Sequence, residues 1–228
     1  NLRLGASQIK LMAGGGVSSL YDQLEDVQYF EDELHAAVMA AEDAGTYVMV
    51  HVYVPEAIRR AIRAGVKSIE HGQLIDEPTM KLIAEKGVWL SMQPFIGEGN
   101  NHYTNPVQQA KHELVVQGTD RAYQLAKKYG VKLAWGTDLL FSPANARNQN
   151  LNIEKMTRWF SNFEILKMIT HDNAELLALS GRRNPYPGKL GVIEEGALAD
   201  LIVVDGNALE DIKVLTDPGK NMLLIMKD

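Results

Sequence analysis

Residues 48–72, VMVHVYVPEAIRRAIRAGVKSIEHG, decide the fold. A β-branched run that contains His51 leads into a helical pattern over residues 55–64, which begins with a proline and stops at Gly65. A second strand-like run, over residues 66–71, follows at once. A strand, a short helix and another strand in this order predict two parallel strands joined by a crossover helix.

The same alternation of strand and helix, with a glycine after each helix, recurs along the first two thirds of the chain. Strands are predicted over residues 8–12, 47–53, 66–71, 88–93 and 132–135, and helices over residues 32–44, 55–64, 77–86 and 119–129. Glycines 45, 65, 87 and 130 follow the helices as C-caps. The pattern predicts an α/β fold with a parallel sheet and helices outside it. A (β/α)8 barrel and a doubly wound sheet both place ligands at the carboxyl ends of strands, so position alone does not separate them. The sequence lacks a GxGxxG motif, and this weakens the case for a doubly wound sheet that binds a nucleotide.

The pattern changes after residue 150. A helix is predicted over residues 162–179, followed by turns and two short apolar strands over residues 201–204 and 222–226. We therefore predict two units, a barrel portion over residues 1–180 and a small β layer over residues 181–228.

Composition excludes several classes of protein. The chain has 228 residues, a formal net charge of −6 and no cysteine. The negative charge argues against nucleic acid or an anionic membrane as a main partner. Without cysteine there is no disulfide, no thiolate metal site and no cysteine nucleophile. No apolar run approaches the roughly 20 residues of a membrane span.

Polar side chains of catalytic type fall at the carboxyl ends of the predicted strands: Lys10, His51, His71, Gln93 and Asp138. Taken singly, each has a structural explanation, such as a hydrogen-bonded histidine, a turn aspartate or a salt-bridged lysine. Together they supply imidazole and carboxylate, which are the ligands that zinc takes when thiolates are absent.

Lys10 is the unusual member of this group, because an ammonium cannot bind a metal. A neutral lysine amine can add carbon dioxide to become a carbamate, which is a carboxylate on a long arm. We expect burial to lower the pKa of Lys10 and so to favour the neutral amine. The glycines at positions 14–16 would keep the neighbouring backbone close.

Four stretches together resemble the amidohydrolase superfamily, in the branch of Xaa-Pro dipeptidases (prolidases) and imidazolonepropionase-like enzymes. They are IKLMAGGGVSS from residue 9, the stretch quoted above, LAWGTD from residue 133 and GVIEEGALADLIVVDGNALEDI from residue 191. The resemblance implies a (β/α)8 barrel, of which this chain holds strands four to eight, with a small appended β-sandwich.

The resemblance also implies the roles of the site residues. Carboxylated Lys10 would bridge two divalent ions, expected to be zinc, with His51 and His71 on one ion and Asp138 on the other. Asp138 would also carry the proton from the attacking water to the leaving amine. Tyr53 shares the face of His51, and it either stabilises the charge that develops on the substrate carbonyl or is an aromatic residue of the rim.

Members of the family carry a His-x-His pair on strand one, and this sequence has none. We expect an N-terminal segment of the same protein to supply it and to complete the barrel. The alternative is a degenerate protein with an incomplete metal site. Half a barrel exposes unpaired sheet edges, which favours the missing segment.

The implied function is metal-dependent hydrolysis of an amide bond in an Xaa-Pro dipeptide or an N-acyl amino acid. Hydrolysis of a lactone, a cyclic amide or an aryl amide uses the same chemistry, and a non-catalytic binding protein on this fold is the alternative of another class. We expect a small-molecule or dipeptide substrate and a homo-oligomer, in either the cytoplasm or the periplasm.

The remaining histidines are assigned no catalytic role. His35 is predicted on a helix surface, and His171 at the start of a helix capped by Thr170 or Asp172. His102 and His112 fall in the long segment 94–118, where they are either solvated loop residues or substrate contacts.

Overall fold

The computed structural model describes residues 1–97, 103–139 and 143–227. In this part of the chain five parallel strands form one sheet, and their spatial order follows the sequence. The strands are β1 (Ile9–Met12), β2 (Val48–Val52), β3 (Ser68–His71), β4 (Trp89–Met92) and β5 (Leu133–Trp135). Each predicted strand is present, and each is one or two residues shorter than predicted.

Four helices follow strands of the sheet: α1 (Glu31–Asp43), α2 (Pro55–Arg63), α3 (Glu77–Lys86) and α4 (Pro106–Tyr129). Alternate strand residues such as Val50, Ile69 and Leu90 are fully buried against apolar helix residues such as Ile58 and Ile83. This layer is the main hydrophobic core, and it confirms the predicted arrangement of helices outside a parallel sheet.

The register assigns the intervening strand residues to the other face of the sheet. Met12 is paired with His51, His51 with Glu70, and Glu70 with Ser91. Paired residues on adjacent strands point to the same side, so these four share a face with Lys10, two residues before Met12 on β1. We call it the site face. The burial of the opposite face therefore orients the polar side chains toward one side.

Helix α4 is longer than predicted. It begins at Pro106, whereas the sequence pattern placed its start at residue 119 and left residues 94–118 as a loop. The side-chain oxygen of Asn105 accepts a hydrogen bond from the backbone N–H of Val107 at 2.9 Å and caps the helix. Gly118, the last residue of the segment left as a loop, lies inside the helix, where a Cβ atom would lie 2.3 Å from the carbonyl oxygen of Gln73. It is glycine for close packing, not to end the helix.

The chain beyond β5 contains the short helices α5 (Pro143–Ala146), α6 (Leu151–Lys155), α7 (Asn162–Lys167) and α8 (Asn173–Ala178). A π-helical turn over Met168–Asp172 joins α7 to α8. His171 lies in this turn, two residues before α8, whose N-cap residue is Asp172 as predicted, but no side-chain capping hydrogen bond forms there. The helical run as a whole begins at Ser161, whose side chain accepts a hydrogen bond from the backbone N–H of Glu164.

The C-terminal segment forms a separate two-stranded antiparallel sheet of β6 (Leu201–Val204) and β7 (Met222–Met226), with α9 (Pro218–Asn221) before β7. Both strands match their predicted positions. Ile212 and Leu215, from a 3-10 turn between them, are buried in the main core. The division of the chain at residue 181 stays a prediction. Among the described residues, no helix is both long enough and apolar enough to span a membrane.

Candidate active site

A cavity of about 370 Å³ opens at the carboxyl ends of the parallel strands. All five residues predicted for the site line it: Lys10, His51, Tyr53, His71 and Asp138. They come from β1, β2, β3 and the segments just after β2 and β5, so residues that are far apart in sequence share one concave surface.

Two of these residues have an unusual backbone conformation. His71 has φ of 79° and Asp138 has φ of 51°. A positive φ is uncommon for residues other than glycine. In its strand register His71 is paired with Val52, which points to the helix-covered face. The positive φ turns the His71 side chain to the site face instead, where its ring centroid lies 4.5 Å from that of His51. Strained backbone at two predicted ligands is typical of functional sites.

The His51 ring is held by the glycine-rich loop after β1. Its Nε2 atom lies 3.1 Å from the carbonyl oxygen of Gly15. A carbonyl oxygen only accepts, so Nε2 donates and Nδ1 of the neutral ring keeps a free lone pair. A Cβ atom at Gly15 would lie 1.8 Å from the carbonyl oxygen of Gln23. This close approach explains the glycine and confirms that the loop backbone packs tightly beside the site.

The His71 ring is held through Nδ1, whereas the His51 ring is held through Nε2. Its Nδ1 atom lies 2.8 Å from Oε1 of Gln93, and Nε2 of Gln73 lies 3.4 Å from the same oxygen. Nδ1 therefore donates to the amide oxygen, and Nε2 of His71 keeps the free lone pair. Each histidine thus presents one nitrogen that is free to bind a ligand.

Both imidazoles are neutral at neutral pH. Burial lowers the pKa of His71 to about 3, and the charges of His51 and Lys10 act in the same direction. Burial also lowers the pKa of His51, although the hydrogen bond to Gly15 opposes this effect. A neutral imidazole is the form that binds a metal ion.

Tyr53 is buried against the two histidines and is not a rim residue. Its ring stacks on His71 with centroids 5.0 Å apart, and meets His51 edge-on at 5.2 Å. Burial raises the pKa of the Tyr53 hydroxyl, and the nearby Asp138 carboxylate raises it further. The hydroxyl therefore stays protonated and able to donate a hydrogen bond.

Two carboxyl groups lie close to Lys10. Burial raises the pKa of the half-buried Asp138, and the charge of Lys10 opposes this shift. Burial also raises the pKa of Glu70, whereas the Ser68 hydroxyl, which donates to its Oε1 at 2.7 Å, lowers it. Glu70 was not predicted, and its pairing with His51 in the strand register places it on the site face.

Lys10 itself is exposed, so the expected burial of this side chain is wrong. It lies on β1, which has a strand neighbour on one side only among the described residues. The described part of the chain also gives Lys10 no carboxylate partner within ion-pair distance, so the alternative explanation of Lys10 as a salt-bridged lysine has no support.

The donor set fits a divalent metal ion in chemical type. It offers two neutral imidazoles, each with a free nitrogen, and the carboxylate of Asp138. Among the described residues, however, no three histidine or acidic side chains converge closely enough to hold one ion. The fit is therefore one of ligand chemistry and not of completed coordination.

A buried lysine on α4 was missed by sequence reasoning. Nζ of Lys111 donates to the carbonyl oxygens of Gly16 at 3.1 Å and Ser19 at 2.9 Å, and it also donates to that of Asp22. The Asp22 carboxylate lies 3.6 Å from the same ammonium. Lys111 thus fastens the loop that holds His51. No local pattern marks such a contact, since its partners lie some 90 residues earlier in the chain.

The structure corrects or confirms the assignments of the other histidines. His112, left as a loop residue, is buried on α4 and lines the cavity. His35 is exposed on α1, as predicted. His102 lies outside the described residues.

Comparison with known proteins defines the class. The sequence matches the amidohydrolase family over residues 1–227, and the chain belongs to that family. The family confirms the resemblance seen in the sequence, and its barrel accounts for the parallel sheet with outer helices.

Three individual relatives show how similar the chain is to proteins of known structure or activity. An ochratoxinase from Aspergillus niger is 34% identical over 221 residues, which are 95% of this chain and 44% of the relative. The crystal structure of a prolidase complexed with N-methylphosphonate-L-proline is 38% identical, with a TM-score of 0.89 over 99% of this chain and 54% of the other. An Xaa-Pro dipeptidase with bound methionine is 32% identical, with a TM-score of 0.82 over 99% of this chain and 54% of the other. The chain therefore spans about half the length of these relatives, as strands of a partial barrel.

Proposed function

We propose that the protein is a metal-dependent hydrolase that cleaves the amide bond of an Xaa-Pro dipeptide or an N-acyl amino acid. The observation that carries the proposal is the pair of neutral histidines, His51 and His71, with ring centroids 4.5 Å apart on the cavity that Asp138 also lines. The likeness to a prolidase, an Xaa-Pro dipeptidase and an ochratoxinase supports this choice of reaction class.

The residues that would hold the metal are His51, His71, Asp138 and Lys10 in carboxylated form. Two divalent ions, which we expect to be zinc, would lower the pKa of a water molecule toward neutrality and polarise the substrate carbonyl. The tautomers described above suit this role, because the hydrogen bonds to Gly15 and Gln93 orient the rings.

The chain's own side chains would then move the protons. The Tyr53 hydroxyl would donate a hydrogen bond to the substrate carbonyl oxygen as negative charge develops on it. The Asp138 carboxylate would accept a proton from water as the water oxygen bonds to the carbonyl carbon. Asp138 would then return this proton to the amide nitrogen as the C–N bond breaks, which gives a carboxylic acid and an amine.

The two edge strands of the sheet suggest where another segment of the protein would pair with this part of the chain. Among the described residues β1 and β5 each pair with one strand only, and such edges are normally covered in native proteins. We propose that further strands from an N-terminal segment of the same protein pair with them. The same strands would cover Lys10 and add the missing metal ligands.

The test is hydrolysis of matched substrates by the purified protein with and without zinc or manganese. Xaa-Pro dipeptides and N-acyl amino acids are compared with a lactone and an aryl amide. We expect metal-dependent cleavage of the first two, abolished by a chelator and restored by metal. Activity that survives complete removal of metal would contradict the proposal, and preference for the lactone or the aryl amide would assign the alternative reaction.

Asp138→Asn sharpens this test. It removes the proton carrier and should lower kcat by roughly 10²–10⁴-fold. Asp43→Asn, at an exposed position on α1, is the matched control and should leave kcat unchanged. Near-normal turnover of Asp138→Asn with metal bound would refute the role of Asp138. Less than about one tightly bound divalent ion per chain would favour the non-catalytic binding protein.

A further inference from the structure

Three aromatic rings form a part of the cavity wall that the catalytic scheme does not use. Phe95 follows β4, Tyr103 precedes α4, and His112 lies on α4. The His112 ring centroid lies 5.9 Å from that of Phe95 and 5.5 Å from that of Tyr103. All three line the same cavity as the candidate metal ligands. We call them the ring cluster.

The ring cluster is backed by apolar side chains. Val17 and Val115 are buried in one small hydrophobic group with Tyr53 and Phe95, and Tyr103 packs against this group. It is separate from the main core between sheet and helices. The wall that faces the cavity here is therefore apolar, in contrast to the wall that carries the histidines and Asp138.

His112 is polar within this apolar wall. Only 7% of its surface is exposed, and its side chain lines the cavity. In ligand pockets with mainly apolar walls, a few polar groups of this kind fix the orientation of the bound molecule. Burial lowers the pKa of His112, so the ring is neutral and offers one donor and one acceptor.

The position of Tyr103 is fixed by the loop after β1. Its hydroxyl lies 3.0 Å from Oγ of Ser18, in the same loop that holds His51. This contact joins the ring cluster to the candidate metal site. A substrate with its scissile bond at the histidines would therefore extend toward the three rings.

We propose that Phe95, Tyr103 and His112 form a subsite for an aromatic side chain of the substrate, with His112 in hydrogen bond to a carboxylate or carbonyl oxygen of the same residue. Pockets of this kind combine apolar walls with a few convergent polar groups. The proposal rests on the proposed function, since it names the residue beside the scissile amide as aromatic.

The experiment measures equilibrium binding of acids that the protein cannot hydrolyse. The ligands are 3-phenylpropanoate and propanoate, titrated by calorimetry into the metal-loaded protein. Both carry the same carboxylate, so any attraction to Lys10 or to metal cancels in the ratio of the two Kd values. We expect 3-phenylpropanoate to bind at least about tenfold more tightly, because an added apolar group in a fitted pocket contributes roughly this factor or more.

Variants assign the preference to the rings. Phe95→Ala should reduce the ratio of Kd values to about threefold or less, and Phe95→Leu, which keeps most of the packing, provides a folded substitute should the alanine variant not fold. Phe163→Ala removes the same side chain at a position that is 64% exposed, and it should leave the ratio unchanged. Equal binding of both acids, or a ratio that neither Phe95 variant alters, would overturn the subsite.

The hydrogen bond is tested separately. His112→Phe keeps a ring in the wall but removes both nitrogens, so both acids should bind roughly 2–10-fold more weakly while their ratio is kept. Unchanged affinity for both acids would overturn the role of His112.

The outcomes also separate this inference from the proposed function. A phenyl preference in a protein that hydrolyses no amide would leave the subsite standing and refute the hydrolase. Metal-dependent hydrolysis without the phenyl preference would refute the subsite alone.

Discussion

Nδ1 of His71 lies 2.8 Å from Oε1 of Gln93, and this hydrogen bond determines which nitrogen of the ring is free. His71 comes from the end of β3 and Gln93 follows β4, so neighbouring strands of the sheet set the orientation. Gln73 supports the same amide oxygen from the loop after β3. Two glutamines therefore determine which nitrogen of His71 is free, although neither glutamine is itself a candidate metal ligand.

Gln93→Leu should weaken metal binding. The change removes the acceptor for Nδ1 of His71 and leaves a buried N–H without a partner. We expect the Kd for zinc to rise about 10–100-fold, as is usual when a partner of a ligating histidine is lost. Competition with a chromophoric chelator measures this without an activity assay. Gln124→Leu, at an exposed position on α4, is the control, and equal zinc affinity in both variants would contradict the role given to Gln93.

Tyr53→Phe removes one hydroxyl and little volume. If this hydroxyl donates to the developing oxyanion, kcat should fall roughly 10²–10³-fold with little change in KM. Steady-state kinetics on the best substrate measures both constants. Tyr21→Phe, at a side chain that is 97% exposed, is the matched control. An effect limited to KM would make Tyr53 a residue of substrate binding and not of transition-state stabilisation.

Lys111→Met tests the fastening of the loop after β1. The substitution keeps the long apolar stem but removes the ammonium that donates to three carbonyl oxygens and pairs with Asp22. Leaving these acceptors without a partner should lower the free energy of unfolding by about 1–3 kcal/mol. Urea denaturation measures the change, with Lys67→Met at an exposed position as the control. Equal stability of the two variants would show that Lys111 does not hold the loop.

The sequence predicted the parts of this molecule that depend on local pattern. The alternation of strands and helices follows from hydrophobic periodicity and from glycine at helix ends, and all five parallel strands lie where it indicated. Lys10, His51, His71 and Asp138 were found because polar residues at strand ends meet on one surface. These features need only short windows of sequence.

The missed features depend on contacts between distant segments. The first half of α4 was left as a loop that ends at Gly118, and the close approach of Gly118 to Gln73 is invisible in sequence. The burial of His112 depends on the true start of α4, which Asn105 sets by its cap. The positive φ of His71 could not be foreseen either, and strict alternation along β3 would have turned its side chain away from the site.

Lys10 offers the last prediction, which concerns the proposed carboxylation of its amine. A plain ammonium near two dications is repelled by several kcal/mol at an effective dielectric constant of ~20. A carbamate would reverse the sign and would offer carboxylate oxygens to bound metal. Lys10→Ala should therefore lose zinc and activity together, and short carboxylic acids should partly restore both by replacing the bridging carboxylate.

The direct measurement is the mass at the Lys10 amine, or its electron density, in metal-loaded protein prepared with bicarbonate. The expected gain is that of one carbon dioxide, and it should disappear when the metal is removed. Lys67, a second exposed lysine on the same chain, is the internal control and should remain unmodified. Because bound metal would stabilise the carbamate, the test uses the metal-replete, active protein, and an unmodified Lys10 in that protein would refute the idea.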